Sequence, residues 1–315
     1  MRLFGSGGDA APVLLTIAES ASLDPIDGMF STLLQVIAGG LLLGAVYALF
    51  SSGLTLVWGM MNIINFAHGD FVMIGMYVAF VVWTLFGAGP WAGAPLAVLV
   101  LATLGVVVYF ALIRRIMKGP MLAQILGTFG LALLLRYSVF WWFGANFSSL
   151  PENLVGGTLE FAGLRIQASR LLAGVVALAV TLALHFLLTR TTLGSKMLAV
   201  AEDDTAAQLM GIRPDTMQAI AWAIAAGATG LAGALIATFF YIVPTVGETL
   251  GIVAFVTVSL GGFGSVPGAL VAGLLIGVIE SLSAYLIGAV YKDMVVYALF
   301  LGFLWFRPQG LMGRV

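Results

Sequence analysis

The sequence predicts an all-α integral membrane protein, a polytopic bundle of about eight or nine transmembrane segments with broken helices. Three observations predict it. Only 13 basic and 14 acidic residues occur among 315, and hydrophobic residues make up 61%. Mean hydropathy is +1.11, so a water-soluble surface has nothing to be built from. The apolar runs are continuous, not alternating, which selects helices over a β-barrel. Finally, charges cluster between the runs: from Phe30 to Ile113 the only charged residue is Asp70, and from Thr216 to Tyr291 only Glu248 and Glu280 occur. A net charge of −1 offers phosphates no basic face, which excludes nucleic acid as a partner. The absence of cysteine and the presence of only two histidines argue against thiolate or histidine metal centres, and no metal or other cofactor is expected.

A spanning helix needs about 20 apolar residues. The runs place spans near 31–58, 70–88, 91–113, 121–143, 169–189, 217–242, 267–288 and 291–306, with a shorter segment near 250–261. Basic residues mark the cytoplasmic side: Arg114, Arg115 and Lys118; Arg190, Lys196 and Arg213; Arg307 and Arg314. Parity between the second and third clusters requires segment 250–261 to cross. The 144–168 loop and the acidic start (Asp9, Glu19, Asp24, Asp27) then fall outside. Residues 1–30 form an external or interfacial arm, and 31–315 one transmembrane domain. Arg2 and the run Pro12–Ala18 make a poor secretory signal. Trp91, Trp141 and Trp142 fit an interfacial aromatic belt.

The apolar pattern breaks twice without a loop, at Gly59–Asp70 (GMMNIINFAHGD) and at Ser259–Gly268 (SLGGFGSVPG). Each break precedes a helix with spaced small residues: Gly69, Gly75 and Ala79, then Gly268, Gly273 and Gly277. Interrupted spans in corresponding halves point to an inverted repeat and a pathway near the midplane. Unwound backbone survives at membrane depth only where it lines water or is buried in protein. Asn62, Asn65, His68, Asp70, Thr257, Ser259 and Ser265 are therefore the candidate pathway residues. A simpler role stands beside this one: Asn65 caps a helix that follows a tight turn, and Asp70 meets its positive end. For His68 alone, a hydrogen bond to backbone is favoured over substrate contact. The Gly227, Gly230, Gly233 stripe reads as tight helix packing. Arg136 either pairs with Glu280 or snorkels to the nearby helix end, the reading favoured here.

Residues 190–215 (RTTLGSKMLAVAEDDTAAQLMGIRPD) form the longest cytoplasmic segment. Leu198, Ala201, Thr205, Leu209 and Ile212 recur at helical spacing, Glu202, Asp203 and Asp204 give an acidic rim, and Gly211 and Pro214 stop the helix. An acid-rimmed apolar ridge suits a protein partner better than anionic lipid.

At this segment the chain resembles the coupling loop of ATP-binding-cassette importer permeases, and more specifically the permeases for branched-chain amino acids. The likeness runs through GLTLVWGMMNIINFAHGDFVMIGMYVAF (53–80), residues 201–235, residues 261–282 and YKDMVVYALFLGFLWFRPQGLMGR (291–314). INFAHGD and RPQGLMG are its most specific motifs. The resemblance implies an importer-permease fold in a bacterial inner membrane. It also implies two ATP-binding subunits that hold the ATP, a second permease chain (a heterodimeric partner), and a periplasmic substrate-binding protein. It places ATPase coupling on Glu202, Asp203, Thr205, Ala206, Ala207, Leu209 and Gly211. The family motif has Glu-Ala-Ala four residues before a glycine; here Thr205-Ala206-Ala207 precedes Gly211, so coupling is assigned to the segment and not to one glutamate. The sequence has no G-x-x-x-x-G-K-[ST] loop, nucleophile–base pair or paired carboxylates, and no enzymatic role is expected. Substrate is expected to arrive at the external loops, including 144–168 and 241–249. Urea, short amides or aromatic acids are alternative cargoes; a passive channel or an ion-coupled carrier is a more remote reading.

Overall fold

The computed structural model describes residues 25–151, 156–161 and 164–313; most of the expected N-terminal arm lies outside them. Helix α1 spans Pro25–Met61, α2 His68–Phe86, and α3 begins as Pro90–Val108 and continues through a π-helical turn, Tyr109–Ile113, to Ile116. Then come α4 (Met121–Phe143), strands β1 (Thr158–Phe161) and β2 (Leu164–Gln167), α5 (Ala168–Arg190), α6 (Thr192–Glu202) and α7 (Asp204–Leu209). The chain finishes with α8 (Pro214–Ile236), α9 (Val246–Gly261), α10 (Val266–Leu286) and α11 (Lys292–Phe306). Among the described residues, seven helices are long and apolar enough to cross a membrane. Helices α9 and α11, with 16 and 15 residues, are shorter than the roughly 20 that a perpendicular span requires. The chain is a multi-pass membrane protein.

Two expected boundaries shift for local reasons. The span expected over 217–242 stops at Ile236, where consecutive i→i+3 bonds (Thr238 N–H to Leu235, Phe239 N–H to Ile236) unwind the helix. The apolar residues that follow pair with the 144–168 loop, where Ile242 and Ser148 exchange backbone hydrogen bonds of 2.8 and 3.0 Å. The 144–168 loop carries the β1–β2 hairpin, in which Glu160 faces Arg165. Its ion pair (2.8 Å) is exposed on both sides and adds little stability.

Lipid supplies no hydrophobic drive between helices, so close backbone approach holds the bundle together. Helix α8 is the most enclosed span and α4 the least. As the glycine stripe predicts, Gly230 meets Ala97 on α3, and Gly233 meets Val72 on α2. The small residues after each break do the same: Gly69 packs on Gly247 and Gly251, Gly273 on Ala48, and Gly277 on Gly40 and Gly44. A Cβ on Gly44 would stand 2.5 Å from the Gly273 carbonyl oxygen. Gly44→Val is therefore expected to destabilise the α1–α10 seam by about 1–3 kcal/mol or more, read as a lower unfolding temperature in detergent; an unchanged temperature would show that the seam can open without cost.

On the basic side, α3 is clamped to α8. Arg114 pairs with Asp215 at 2.6 Å, and the Tyr109 hydroxyl donates to Gln218 at 2.8 Å.

Candidate functional site

Both sequence breaks are real interruptions, and they meet. Helix α1 ends where Asn62 takes a left-handed conformation (φ 53°) and its N–H bonds the Trp58 carbonyl at 2.8 Å. Asparagine is among the few non-glycine residues that enter this region readily. Helices α1 and α2 do not continue as a packed pair; α8 packs against both. The unwound segment between them is satisfied from several sides. The Asn65 side-chain oxygen accepts from Ala67 N–H at 3.1 Å, and the Thr128 hydroxyl on α4 donates to the Ile64 carbonyl at 3.0 Å. His68 donates from Nε2 to the Phe50 carbonyl at 2.7 Å. Asn65 and His68 are each only 2% exposed. Asn65 thus braces the turn before α2 through an Asx-type bond rather than capping the helix from the residue directly preceding it.

Asp70, in the first turn of α2, is 1% exposed. Its two oxygens accept from Arg136 Nε (3.1 Å) and Nη2 (3.4 Å). Arg136 Nη1 reaches Glu248 at 3.0 Å, in the first turn of α9. This corrects the expected snorkelling: the Arg136 side chain, 15% exposed, turns inward and ties together the starts of two helices. Both carboxylates sit where the helix dipole favours negative charge, and Gly69 against Gly247 brings these helix starts close enough for one guanidinium to span. Glu280, the other partner considered for Arg136, instead pairs with Lys292 at the start of α11.

At the second break, Ser265 caps α10, its hydroxyl accepting from Gly268 N–H at 3.1 Å. Gly264 N–H donates to the Thr55 hydroxyl at 2.9 Å, and Phe263 lies 4.4 Å from the Trp58 ring centre to centre. The second break is thereby fastened to the end of α1. Thr257 is fully buried and returns its hydroxyl to the Val253 carbonyl (2.7 Å), and Ser259 is half-buried one turn from the end of α9. The C-terminal RPQGLMG motif packs here as well: Leu311 N–H bonds the Leu260 carbonyl at 2.8 Å, and Met312 N–H bonds Gly261 at 3.0 Å. The sequence offered no signal for this seat beyond the motif's specificity.

The candidate residues do not form one cluster. Asn62 and Ser265 line a cavity of about 520 Å³ beside the basic 190–215 segment, together with Gly59, Met197, Leu198 and Ala201. Asn65 lies in the buried α1–α2 connection, His68 and Asp70 in the first turn of α2, and Thr257 inside α9.

The 190–215 segment is two short helices, not the single amphipathic helix expected. Asp203 ends α6 and caps α7, its Oδ1 accepting from Thr205 N–H (2.8 Å) and Ala206 N–H (3.0 Å). That break shifts the helical phase, so the expected ridge does not stay on one face. The seated side chains are Met197, Val200 and Ala207, packed on Leu56, Met60 and Leu184. Glu202, Thr205 and Ala206 are exposed, and Leu209 and Met210 stand 85% and 82% exposed before Gly211 (φ 80°) turns the chain. Partial burial, then the neighbouring Asp203 and Asp215 carboxylates, raise the pKa of Asp204, so a cationic neighbour would relieve this acidic rim.

Sequence relationships agree with this geometry. The family described as branched-chain amino acid transport system, permease component, matches residues 36–304. The chain is 34% identical over 294 residues to the high-affinity branched-chain amino acid transport system permease protein BraD of Pseudomonas aeruginosa, covering 89% of this chain and 96% of that one. It is 32% identical over 302 residues to the LivH permease protein of Escherichia coli K12, covering 90% and 97%. With the LivM permease protein of the same E. coli strain it shares 29% over 299 residues, covering 85% and 68%. No solved structure matches. Fold, breaks and sequence likeness converge: the chain belongs to the family of permease components of branched-chain amino acid transport systems.

Proposed function

We propose that this chain is the membrane-spanning subunit of an ATP-driven importer that carries branched-chain amino acids inward. The observation that carries this reading is the end-to-end likeness to BraD and LivH, whose names state branched-chain amino acid transport. The geometry supports it from the inner side. The α6–α7 segment presents Leu209 and Met210 outward and rests on the end of α1 and on α5. A push on α6–α7 therefore reaches the inner cavity and both breaks directly. Such a push shifts the bundle only if the ATPase binds its two arrangements with different free energy.

In this reading, Asn62 and Ser265 line the inner mouth, while Asn65, His68 and Asp70 hold the unwound connection at depth. Thr257 and Ser259 belong to the α9 wall. The partners are two ATP-binding subunits, a receptor protein outside and a second permease. Two permease proteins of one organism, LivH and LivM, both carry the branched-chain name and both resemble this chain, which favours a heterodimer.

The test is uptake by proteoliposomes holding the assembled complex. Leucine, isoleucine or valine should accumulate only with ATP, and vesicles with this subunit alone should accumulate none. Uptake that survives ATP depletion would replace the proposal with a passive channel, and uptake of urea or aromatic acids alone would overturn the cargo.

A further inference from the structure

The external loops enclose a second cavity, and its chemistry is unlike that of the inner one. It holds about 590 Å³, within the range of about 300–1,000 Å³ typical of small-molecule sites. The strand-like pairing of Ser148 with Ile242 joins the hairpin loop to the α8–α9 connection, and the cavity lies between these two loops and the start of α5.

Arg170 lines this cavity. The basic residues Arg136, Arg165, Arg170 and Lys292 lie on the external half or just within it. Arg136, Arg165 and Lys292 each have a carboxylate partner; Arg170 has none among the described residues. Its guanidinium instead lies 5.6 Å from the centre of the Phe239 ring. Stacking of this kind fixes the plane of the fork while using none of its N–H donors. Among the described residues no aspartate or glutamate lines the cavity, so none of them neutralises the cation there. Thr158, Gln167 and Ser169 supply neutral polar groups, and Phe240 and Tyr241 supply apolar surface. Arg170 and Phe239 also line a smaller void of about 70 Å³ that reaches Gly39 on α1 and Ser281 on α10. The cation thus stands between the outer vestibule and the helix bundle.

We infer that Arg170 is the point where the permease first takes hold of its cargo, a free α-carboxylate compound with an apolar side chain, released into this vestibule. The inference rests on the import reading above and adds the chemical group recognised. A planar guanidinium binds a carboxylate through two parallel hydrogen bonds, the ring of Phe239 holds that fork in place, and the aromatic surface accepts a branched aliphatic chain. A neutral amide gains no ion pair there.

The assembled complex in nanodiscs, without its external receptor, is probed by saturation-transfer NMR with leucine, 4-methylpentanoate, isoamylamine and urea. Leucine and 4-methylpentanoate should receive saturation, isoamylamine and urea should not, and Arg170→Gln should abolish both signals. In proteoliposomes with receptor, Arg170→Gln should lower maximal uptake about tenfold, with receptor affinity unchanged, and Arg170→Lys should recover only part. Undiminished leucine saturation in Arg170→Gln overturns the inference. So does weakened receptor docking with the small-molecule signals intact, which would assign the guanidinium to a carboxylate on the receptor. If the wild-type complex fails to import branched-chain amino acids yet 4-methylpentanoate contact still depends on Arg170, the cargo assignment fails and the carboxylate site stands.

Discussion

Replacing Arg136 with methionine is expected to cost about 3–5 kcal/mol, the range for removing one member of a buried ion pair. Asp70 would remain 1% exposed beside α4 and α9 with neither of its guanidinium bonds, and Glu248 would lose its contact too. The readout is the unfolding temperature and the yield of monodisperse protein in detergent. The second variant separates charge from packing. Asp70→Asn combined with Arg136→Met removes both charges and should regain most of the loss; a double variant as unstable as the single one would show that the guanidinium acts through its packing. Glu248→Gln should do little, because that side chain is 64% exposed and a solvated pair contributes about 0–1 kcal/mol. The contrast between Asp70 and Glu248 is the signature of a network whose energetic weight lies on its buried arm.

The second large effect is expected at the tip of α7. Leu209→Asp combined with Met210→Asp should leave folding nearly untouched, since both side chains are more than four-fifths exposed and surface changes usually stay within about 0.5 kcal/mol. Uptake by the assembled complex should nevertheless fall to the ATP-independent background, with the ATPase subunits no longer co-purifying. Ala207→Trp should fail differently: Ala207 is 3% exposed against Met197 and Val200, so a bulky side chain there unseats the segment and lowers stability as well as transport. Normal uptake by the double aspartate variant would remove Leu209 and Met210 from the docking surface.

Much of this architecture is legible along the chain because the information is local. A run of apolar residues is a span wherever it occurs, and a Gly- or Asn-rich interruption inside it is a break. The α4 limits, 121–143, are the same in sequence and structure. Asn62, Ser265 and Gly211 sit where their backbone chemistry places them, at a left-handed helix end, an N-cap and a positive-φ turn. The phase of the coupling segment was not legible, because Asp203 caps α7 where a continuous helix was expected, and one cap shifts every later side chain.

The sequence by itself determined that this is a bundle of apolar helices in lipid, interrupted twice, with a short acid-rich segment between two of its spans. Only the tertiary structure decided who partners whom. Arg136 meets Asp70 across 66 positions and Glu248 across 112. The C-terminal tail closes on the end of α9, and Arg170 lines a cavity with no carboxylate partner among the described residues. The physical reason is that burial and helix formation follow from composition and nearest neighbours, whereas a buried charge is tolerable only beside a specific partner. Which partner is available depends on how closely glycine-lined helices approach, a property of the folded bundle.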